Sequence, residues 1–251
     1  MKLLVITLLY VLSVEALITI APVDIGAKPG LSGGIKGSFT TKRGNTQSDG
    51  YSASVRAQYD NNVSYVTWGD LSINYAKAFG VTNTNKTFAH IRYIHTLLLP
   101  KKSLNWETFI QSQTDKFTKI QNRLLVGIGL RYHTGLKEYG DVYFGIGAFA
   151  EHIKYTTEVD SNEENVRLNI YIAYKKKLLD NVRFSYVGYY QPRIDILSDA
   201  IFANSAELRV KIYKKLSINF ELLYNYDTKP AVGIEKYDFS QKTSFVYDFE
   251  T

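Results

Sequence analysis

Apolar and polar residues alternate along most of this chain, and the alternation is clearest between residues 206 and 212. In that segment every second residue is apolar, and each residue between them is charged. The same period of two recurs at 124–131, 166–172 and 216–222. A period of two is typical of a β-strand that has one apolar and one polar face. The four segments therefore predict strands with one face against water and the other in an apolar environment.

The alternating segments are about a dozen residues long, and short polar or glycine-containing breaks separate them. Membrane-spanning strands need about 9–11 residues in the bilayer, whereas strands of soluble sheets usually have about 5–6. We therefore predict an all-β fold, a single antiparallel transmembrane β-barrel of about 12 strands. The predicted strands are 30–43, 47–60, 63–79, 86–99, 104–117, 121–133, 141–157, 165–177, 181–193, 200–213, 216–228 and 234–249. A soluble β-sandwich also alternates, so a soluble periplasmic binding module is the alternative fold.

The first residues have the order of a secretory signal peptide. A lysine at position 2 precedes the apolar run 3–12, and Val14 and Ala16 occupy the small-residue positions of a cleavage site, with Ala21 as a second cleavage position. The apolar run is shorter than the roughly 20 residues of a membrane-spanning helix, which disfavours an uncleaved anchor. We predict a signal peptide at 1–16, a short periplasmic segment at 17–29 and the barrel at 30–251. Export across the inner membrane to the outer membrane follows from this order.

The charge of the chain is concentrated in the predicted turns. The formal net charge is +6, and the absence of cysteine excludes disulfides and thiolate metal sites. With both termini in the periplasm, the short periplasmic turns hold or adjoin Lys101, Lys102, Lys137, Lys175, Lys176, Lys177, Lys214 and Lys215. A basic rim would match anionic lipid headgroups, although lysine is also common in turns in general. We expect outer-membrane lipids as partners and no nucleic acid, and the oligomeric state stays open.

Aromatic residues alternate in the last segment of the chain, at Phe245, Tyr247 and Phe249. This pattern resembles the terminal strand that the outer-membrane assembly machinery recognises, except that Glu250 and Thr251 follow the last aromatic residue. The resemblance implies that the assembly machinery is a partner during biogenesis.

Three segments together, 37–46, 106–117 and 123–132, resemble the YdiY-like family, whose members carry the label of salt-induced outer membrane proteins. The resemblance implies an outer-membrane barrel of uncharacterised role, sometimes linked to salt or envelope stress. It implies no catalytic residues.

Charged residues at polar-face positions of the strands are candidates for the barrel lumen. These candidates are Lys36, Arg56, Asp70, Arg92, Glu107, Asp115, Arg123, Arg131, Arg167, Arg183, Glu207, Arg209, Lys211 and Glu221. Nine of the fourteen are basic, which favours a narrow channel that prefers anions. The alternative is that these charges neutralise one another and plug the barrel. A three-residue turn at 118–120 further predicts lumenal ion pairs of Asp115 with Arg123 and of Glu107 with Arg131.

The motifs of common enzymes are missing from the sequence. The four histidines, at positions 90, 95, 133 and 152, have no metal-ligand spacing, and no nucleophile elbow, phosphate loop or dinucleotide fingerprint is present. We therefore predict a non-enzymatic protein without cofactor or metal. The alternative is an outer-membrane lipid enzyme of the phospholipase type, which would need a serine with a histidine on the lipid-facing wall. His95 falls on that face, but no serine motif accompanies it.

Overall fold

The structure is a computed structural model that describes residues 23–42, 48–79, 81–156 and 162–250. The side chains of residues 40–42, 48, 83 and 137 are outside this description. The predicted signal peptide at 1–16 and the first part of the segment 17–29 also lie outside the described residues.

Twelve antiparallel strands form one closed barrel, so the predicted fold is confirmed. Each strand pairs with its neighbours in sequence, and the first strand closes the barrel against the last. The strands are β1 (Gly30–Lys42), β2 (Ser48–Asp60), β3 (Tyr65–Ala78), β4 (Val81–Thr96), β5 (Leu104–Asp115), β6 (Ile120–Gly135), β7 (Asp141–Tyr155), β8 (Glu163–Leu179), β9 (Val182–Pro192), β10 (Ala200–Tyr213), β11 (Leu216–Asp227) and β12 (Tyr237–Glu250). Within the described ranges, no helix is long and apolar enough to cross a membrane.

The alternation of the sequence decides which side chains point out of the barrel and which point in. On β6, Ile128 is 62% exposed on the outer surface, whereas Arg131 is 2% exposed inside. Leu71 and Ile146 are equally exposed outward-facing residues on other strands. The outer surface is therefore apolar and the interior carries the charges, which is the arrangement that lipid requires.

The barrel has two ends that differ in their connections. We call the end that carries the start of β1 and the end of β12 the terminal end, and the opposite end the loop end. β12 begins three residues later than predicted because 228–236 forms a loop at the loop end. β4 begins five residues earlier than predicted, because backbone pairing of Thr82 with Lys77 and of Thr84 with Ala76 extends the ladder through polar residues.

The closing seam between β1 and β12 is shorter than the other strand pairs. It consists of six residue pairs, from Ser32 opposite Glu250 to Gly37 opposite Phe245. By comparison, β1 and β2 are paired along all thirteen residues of β1. The three aromatic residues of the predicted assembly signal lie within this seam, and the ring of Phe249 covers Gly33, where a side chain would collide with it.

The turn between β5 and β6 has four residues, 116–119, instead of the predicted three. Asp115 stabilises it, because its Oδ1 accepts hydrogen bonds from the backbone N–H groups of Phe117 at 3.0 Å and Thr118 at 3.3 Å. The longer turn shifts the register by two residues, so that Gln113 faces Arg123.

The shift also places Asn105 opposite Arg131 and Glu107 opposite Gly129. The predicted ion pairs of Asp115 with Arg123 and of Glu107 with Arg131 are therefore wrong. A shift of two residues leaves the inward-facing side unchanged, so all four residues still face the lumen.

Candidate functional site in the barrel lumen

The structure places the fourteen candidate lumen charges at inward-facing positions of their strands. Six of them are buried, namely Arg92, Glu107, Asp115, Arg123, Arg131 and Arg167. Arg183 and Lys211 lie near the terminal end, where solvent reaches them. The interior is therefore divided into a dry part and a wet part.

The dry part is a buried network of ion pairs along β6, β7 and β8. The Glu151 carboxylate accepts hydrogen bonds from Arg123 Nε at 2.6 Å and from Arg167 Nε at 2.8 Å. Arg167 also donates to Asp199 Oδ1 at 3.0 Å. These side chains are at most 5% exposed. Because buried charges are tolerated only when paired, the four residues hold one another in place and fill the lumen.

A second set of contacts bridges the lumen from β4 and β5 to β8. Glu107 accepts hydrogen bonds from Arg92 at 3.3 Å and from the Tyr171 hydroxyl at 3.0 Å. The Arg92 guanidinium also lies 5.0 Å from the ring centre of Phe109 and 5.7 Å from that of Trp68. These cation–π contacts add to the ion pair and help to desolvate this side of the barrel.

Glycines on neighbouring strands make room for the large rings in the lumen. The Phe109 ring lies against Gly127, and the Tyr171 ring lies against Gly145, so a Cβ atom at either glycine would collide with the ring. Glycine at these mid-strand positions therefore allows the rings to pack closely against the neighbouring strand.

Residues 23–28 lie inside the mouth of the barrel at the terminal end. Val23 is buried against Val66, Trp68 and Ile94 on the inner wall of β3 and β4. Its carbonyl oxygen accepts a hydrogen bond from Arg131 at 2.9 Å. These residues, the described part of the predicted periplasmic segment 17–29, are thus packed into the mouth of the lumen, where the inner wall supplies a partner to their backbone.

Asp24 anchors the same segment to β7 and β8. Its carboxylate accepts a hydrogen bond from the Tyr143 hydroxyl at 2.6 Å and forms an ion pair with Lys175 at 3.4 Å. Burial raises the pKa of Asp24, but the charges of Lys175 and Arg131 and the Tyr143 hydrogen bond outweigh it and lower the pKa overall. The segment is therefore held by an ionised carboxylate.

The wet part is a cavity of about 830 Å³ that runs beside the filled side. Lys36 and Glu207 form an ion pair across it at 3.0 Å, and Arg56 and Asp70 form another at 2.7 Å. Nine basic and seven acidic residues line it: Lys28, Lys36, Arg56, Lys175, Lys176, Lys177, Arg183, Arg209 and Lys242, with Asp24, Asp70, Glu138, Asp141, Glu207, Glu221 and Asp248. Charged residues of both signs therefore contribute to the lining, with an excess of basic residues.

At the loop end a contact crosses the barrel mouth. Lys119, in the turn between β5 and β6, donates a hydrogen bond at 2.5 Å to the carbonyl oxygen of Val232 in the loop 228–236. That loop connects β11 and β12, which lie on the opposite side of the barrel from β5 and β6. Beneath the loop a smaller cavity of about 70 Å³ includes Arg123, Arg167 and Asp227. The loop therefore narrows this mouth.

Two of the histidines, His95 and His90, pack against aromatic rings of the barrel. His95 points outward, accepts or donates a hydrogen bond with the Tyr93 hydroxyl at 3.0 Å and stacks on Trp106. His90 is buried between the rings of Trp68 and Phe109. No three His, Cys, Asp or Glu residues of the described ranges are grouped so as to hold a metal ion.

Glu151, the centre of the buried network, was not among the residues that the sequence predicts for the lumen. Glycine and alanine on both faces of β7 hide the alternation of the segment 141–155. The pairing of β6 with β7 would have revealed it, because Leu125 and Glu151 are opposite each other and share the inner face.

Comparison with known proteins agrees with this architecture. The family described as "Protein of unknown function, DUF481" matches residues 35–249. The NanC porin has 10% sequence identity over 88% of this chain and 100% of its own, with a TM-score of 0.50. The translocator domain of autotransporter NalP from Neisseria meningitidis has 10% identity over 87% of this chain and 88% of its own (TM-score 0.47).

The KdgM porin in complex with disordered oligogalacturonate has 11% identity over 86% of this chain and 96% of its own, with a TM-score of 0.44. No curated protein matches the chain. Identities this low concern the fold alone, and the fold resembles that of outer-membrane proteins. The chain folds as a closed β-barrel similar to that of the NanC porin, and it belongs to the family of proteins of unknown function DUF481.

Proposed function

We propose that the protein is a non-enzymatic outer-membrane channel of narrow bore that prefers small anions. The observation that carries this proposal is the cavity of about 830 Å³ beside the filled side of the lumen. Barrels of 16–18 strands leave a wide aqueous channel, whereas small barrels are filled by their side chains. A twelve-stranded barrel with one filled side has an intermediate bore, which suits ions and small solutes.

The preference for anions follows from the excess of basic residues along the cavity. Many of the charges are paired, as in Lys36 with Glu207 and Arg56 with Asp70. Paired charges contribute little net field, so the selectivity is expected to be modest and to fall as the salt concentration rises.

A pair of tryptophan variants on β2 tests whether solutes move through the cavity. Ser54 faces the cavity, and its neighbour Ala53 faces outward. We expect Ser54→Trp to lower the single-channel conductance of the refolded barrel in planar bilayers, because the ring occupies the cavity. Ala53→Trp, the matched control, is expected to leave it unchanged. Equal conductance of both variants would show that ions do not use this cavity.

A second candidate function is a plugged barrel with a structural role in the envelope. The hydrogen bond from Lys119 to Val232 across the loop-end mouth favours it. This candidate is supported if the barrel migrates differently on gels when boiled and unboiled but conducts no ions, even after deletion of residues 229–235. Conductance that appears on deletion of the loop would instead support a channel that the loop restricts.

We further propose that residues 1–16 direct export and that the assembly machinery recognises Phe245, Tyr247 and Phe249. The position of these aromatic residues supports this role, because they lie in the seam where the last strand closes the barrel against the first. The link to salt stress in the YdiY-like family is tested by comparing protein levels in cells grown at low and high salt.

A further inference from the structure

Three basic residues stand side by side at the terminal-end mouth of the cavity. Lys177 on β8 is directly opposite Arg183 on β9, and Arg183 is directly opposite Arg209 on β10. All three line the cavity. We call them the basic triad.

Acidic partners neutralise the basic triad only in part. Lys177 pairs with Asp180 at 2.7 Å, and both side chains are largely exposed. Arg209 reaches Asp248 at 3.4 Å. In the part of the chain that the structure describes, Arg183 has no ion pair, and the buried Arg209 Nε has no hydrogen-bond partner. The middle of the triad is therefore electrostatically uncompensated.

Like charges directly opposite each other on neighbouring strands destabilise a sheet. Two adjacent like-charged pairs at one mouth are therefore a cost to the fold that a bound anion would remove. Guanidinium groups suit phosphate in particular, because their planar donors match two phosphate oxygens at once. Ser185, the next inward-facing residue of β9, also lines the cavity and is a further donor.

We propose that the basic triad binds a phosphate group at the terminal-end mouth of the cavity. The ligand is a small phosphate-bearing solute or the phosphate of a lipid headgroup, and both present the same chemistry to the triad. The inference deepens the proposed channel function, since it names the class of anion that the channel selects. Binding itself does not depend on conduction.

Calorimetric titration of inorganic pyrophosphate into the refolded chain from Leu17 onward tests the site. We expect saturable binding, a loss of at least about tenfold in affinity for Arg183→Gln and for Lys177→Gln, and no change for Lys101→Gln. Lys101 is an exposed lysine in the turn between β4 and β5 at the same end, and it does not line the cavity. Each variant is first shown to be folded by its heat-modifiable gel mobility. The proposal is overturned if the triad variants bind pyrophosphate with the same affinity as the control and the unmodified protein. It is also overturned if the unmodified protein shows no saturable binding.

The source of the phosphate is distinguished by repeating the titration in lipid nanodiscs of phosphatidylcholine with and without phosphatidylglycerol. Pyrophosphate binding that is weaker in the nanodiscs with phosphatidylglycerol would assign the site to an anionic lipid headgroup, because the headgroup then competes with pyrophosphate. Equal binding in both lipids would assign it to a free solute. Binding without conductance would contradict the channel function but not the phosphate site. Conductance without binding would contradict the phosphate site but not the channel function.

Discussion

Removal of the docked N-terminal segment is expected to raise the conductance of the barrel. Residues 23–28 obstruct the terminal-end mouth, where Val23 contacts β3 and β4 and Asp24 contacts β7. Burying one valine contributes about 1.5 kcal/mol or more. Three hydrogen bonds involve a charged partner, those of Arg131 with Val23, Tyr143 with Asp24, and Asp60 with Gly26. Each contributes about 1.5–3 kcal/mol.

These contributions together reach about 6–11 kcal/mol, whereas ordering six residues costs about 6–12 kcal/mol at 1–2 kcal/mol per residue. The two amounts nearly cancel, so docking of the segment is marginal and the loss of one contact is enough to release it. Asp24→Asn removes the ionised carboxylate and is expected to release the segment in part. Deletion of residues 17–28 releases it completely.

Single-channel recordings in planar bilayers measure this effect. We expect the conductance to increase in the order unmodified protein, Asp24→Asn and deletion variant. Glu164→Gln is the control, because Glu164 is an exposed residue that pairs with His152 and not with the segment. The reasoning is refuted if the deletion variant conducts no more than the unmodified protein.

Three further predictions concern stability and pH. Glu151→Gln should destabilise the barrel by about 3–5 kcal/mol, because it leaves the buried Arg123 without its anion and Arg167 with Asp199 alone; urea unfolding followed by gel mobility measures this, with the exposed Glu164→Gln as control. Gly145→Ala should cost about 1–3 kcal/mol in the same assay, because the Tyr171 ring must move, and an unchanged midpoint would show that the ring has free space. Because the pKa of docked Asp24 lies below its ordinary value of 3.8, docking is fully stabilised above pH 3.8 and weakens as the pH falls through the lowered pKa. The conductance should therefore rise at low pH, and a conductance that does not change as Asp24 becomes protonated would contradict this.

The outer surface and the strand order could be predicted from the sequence, because lipid imposes a strict alternation on each strand. Segment 206–212 is an example, since its alternating residues Glu207 and Arg209 line the cavity. A short, regular alternation needs no knowledge of any other strand. For this reason the twelve strands differ from prediction mainly at their ends.

Contacts across the lumen could not be predicted, because they depend on register and on segments without periodicity. One additional residue in the turn 116–119 moves Asp115 away from Arg123, and Asp115 instead lies 3.6 Å from Lys86 on β4. Glu151 is hidden in a segment of glycine and alanine. The docking of Val23 and Asp24 is equally invisible, because their partners come from strands far along the chain.

The most direct test of the proposed function is the reversal potential of the refolded protein in a planar bilayer under a gradient of potassium chloride. The excess of basic residues along the cavity predicts a potential whose sign corresponds to preferential chloride flow. A reversal potential of the opposite sign, which corresponds to preferential potassium flow, would contradict the account.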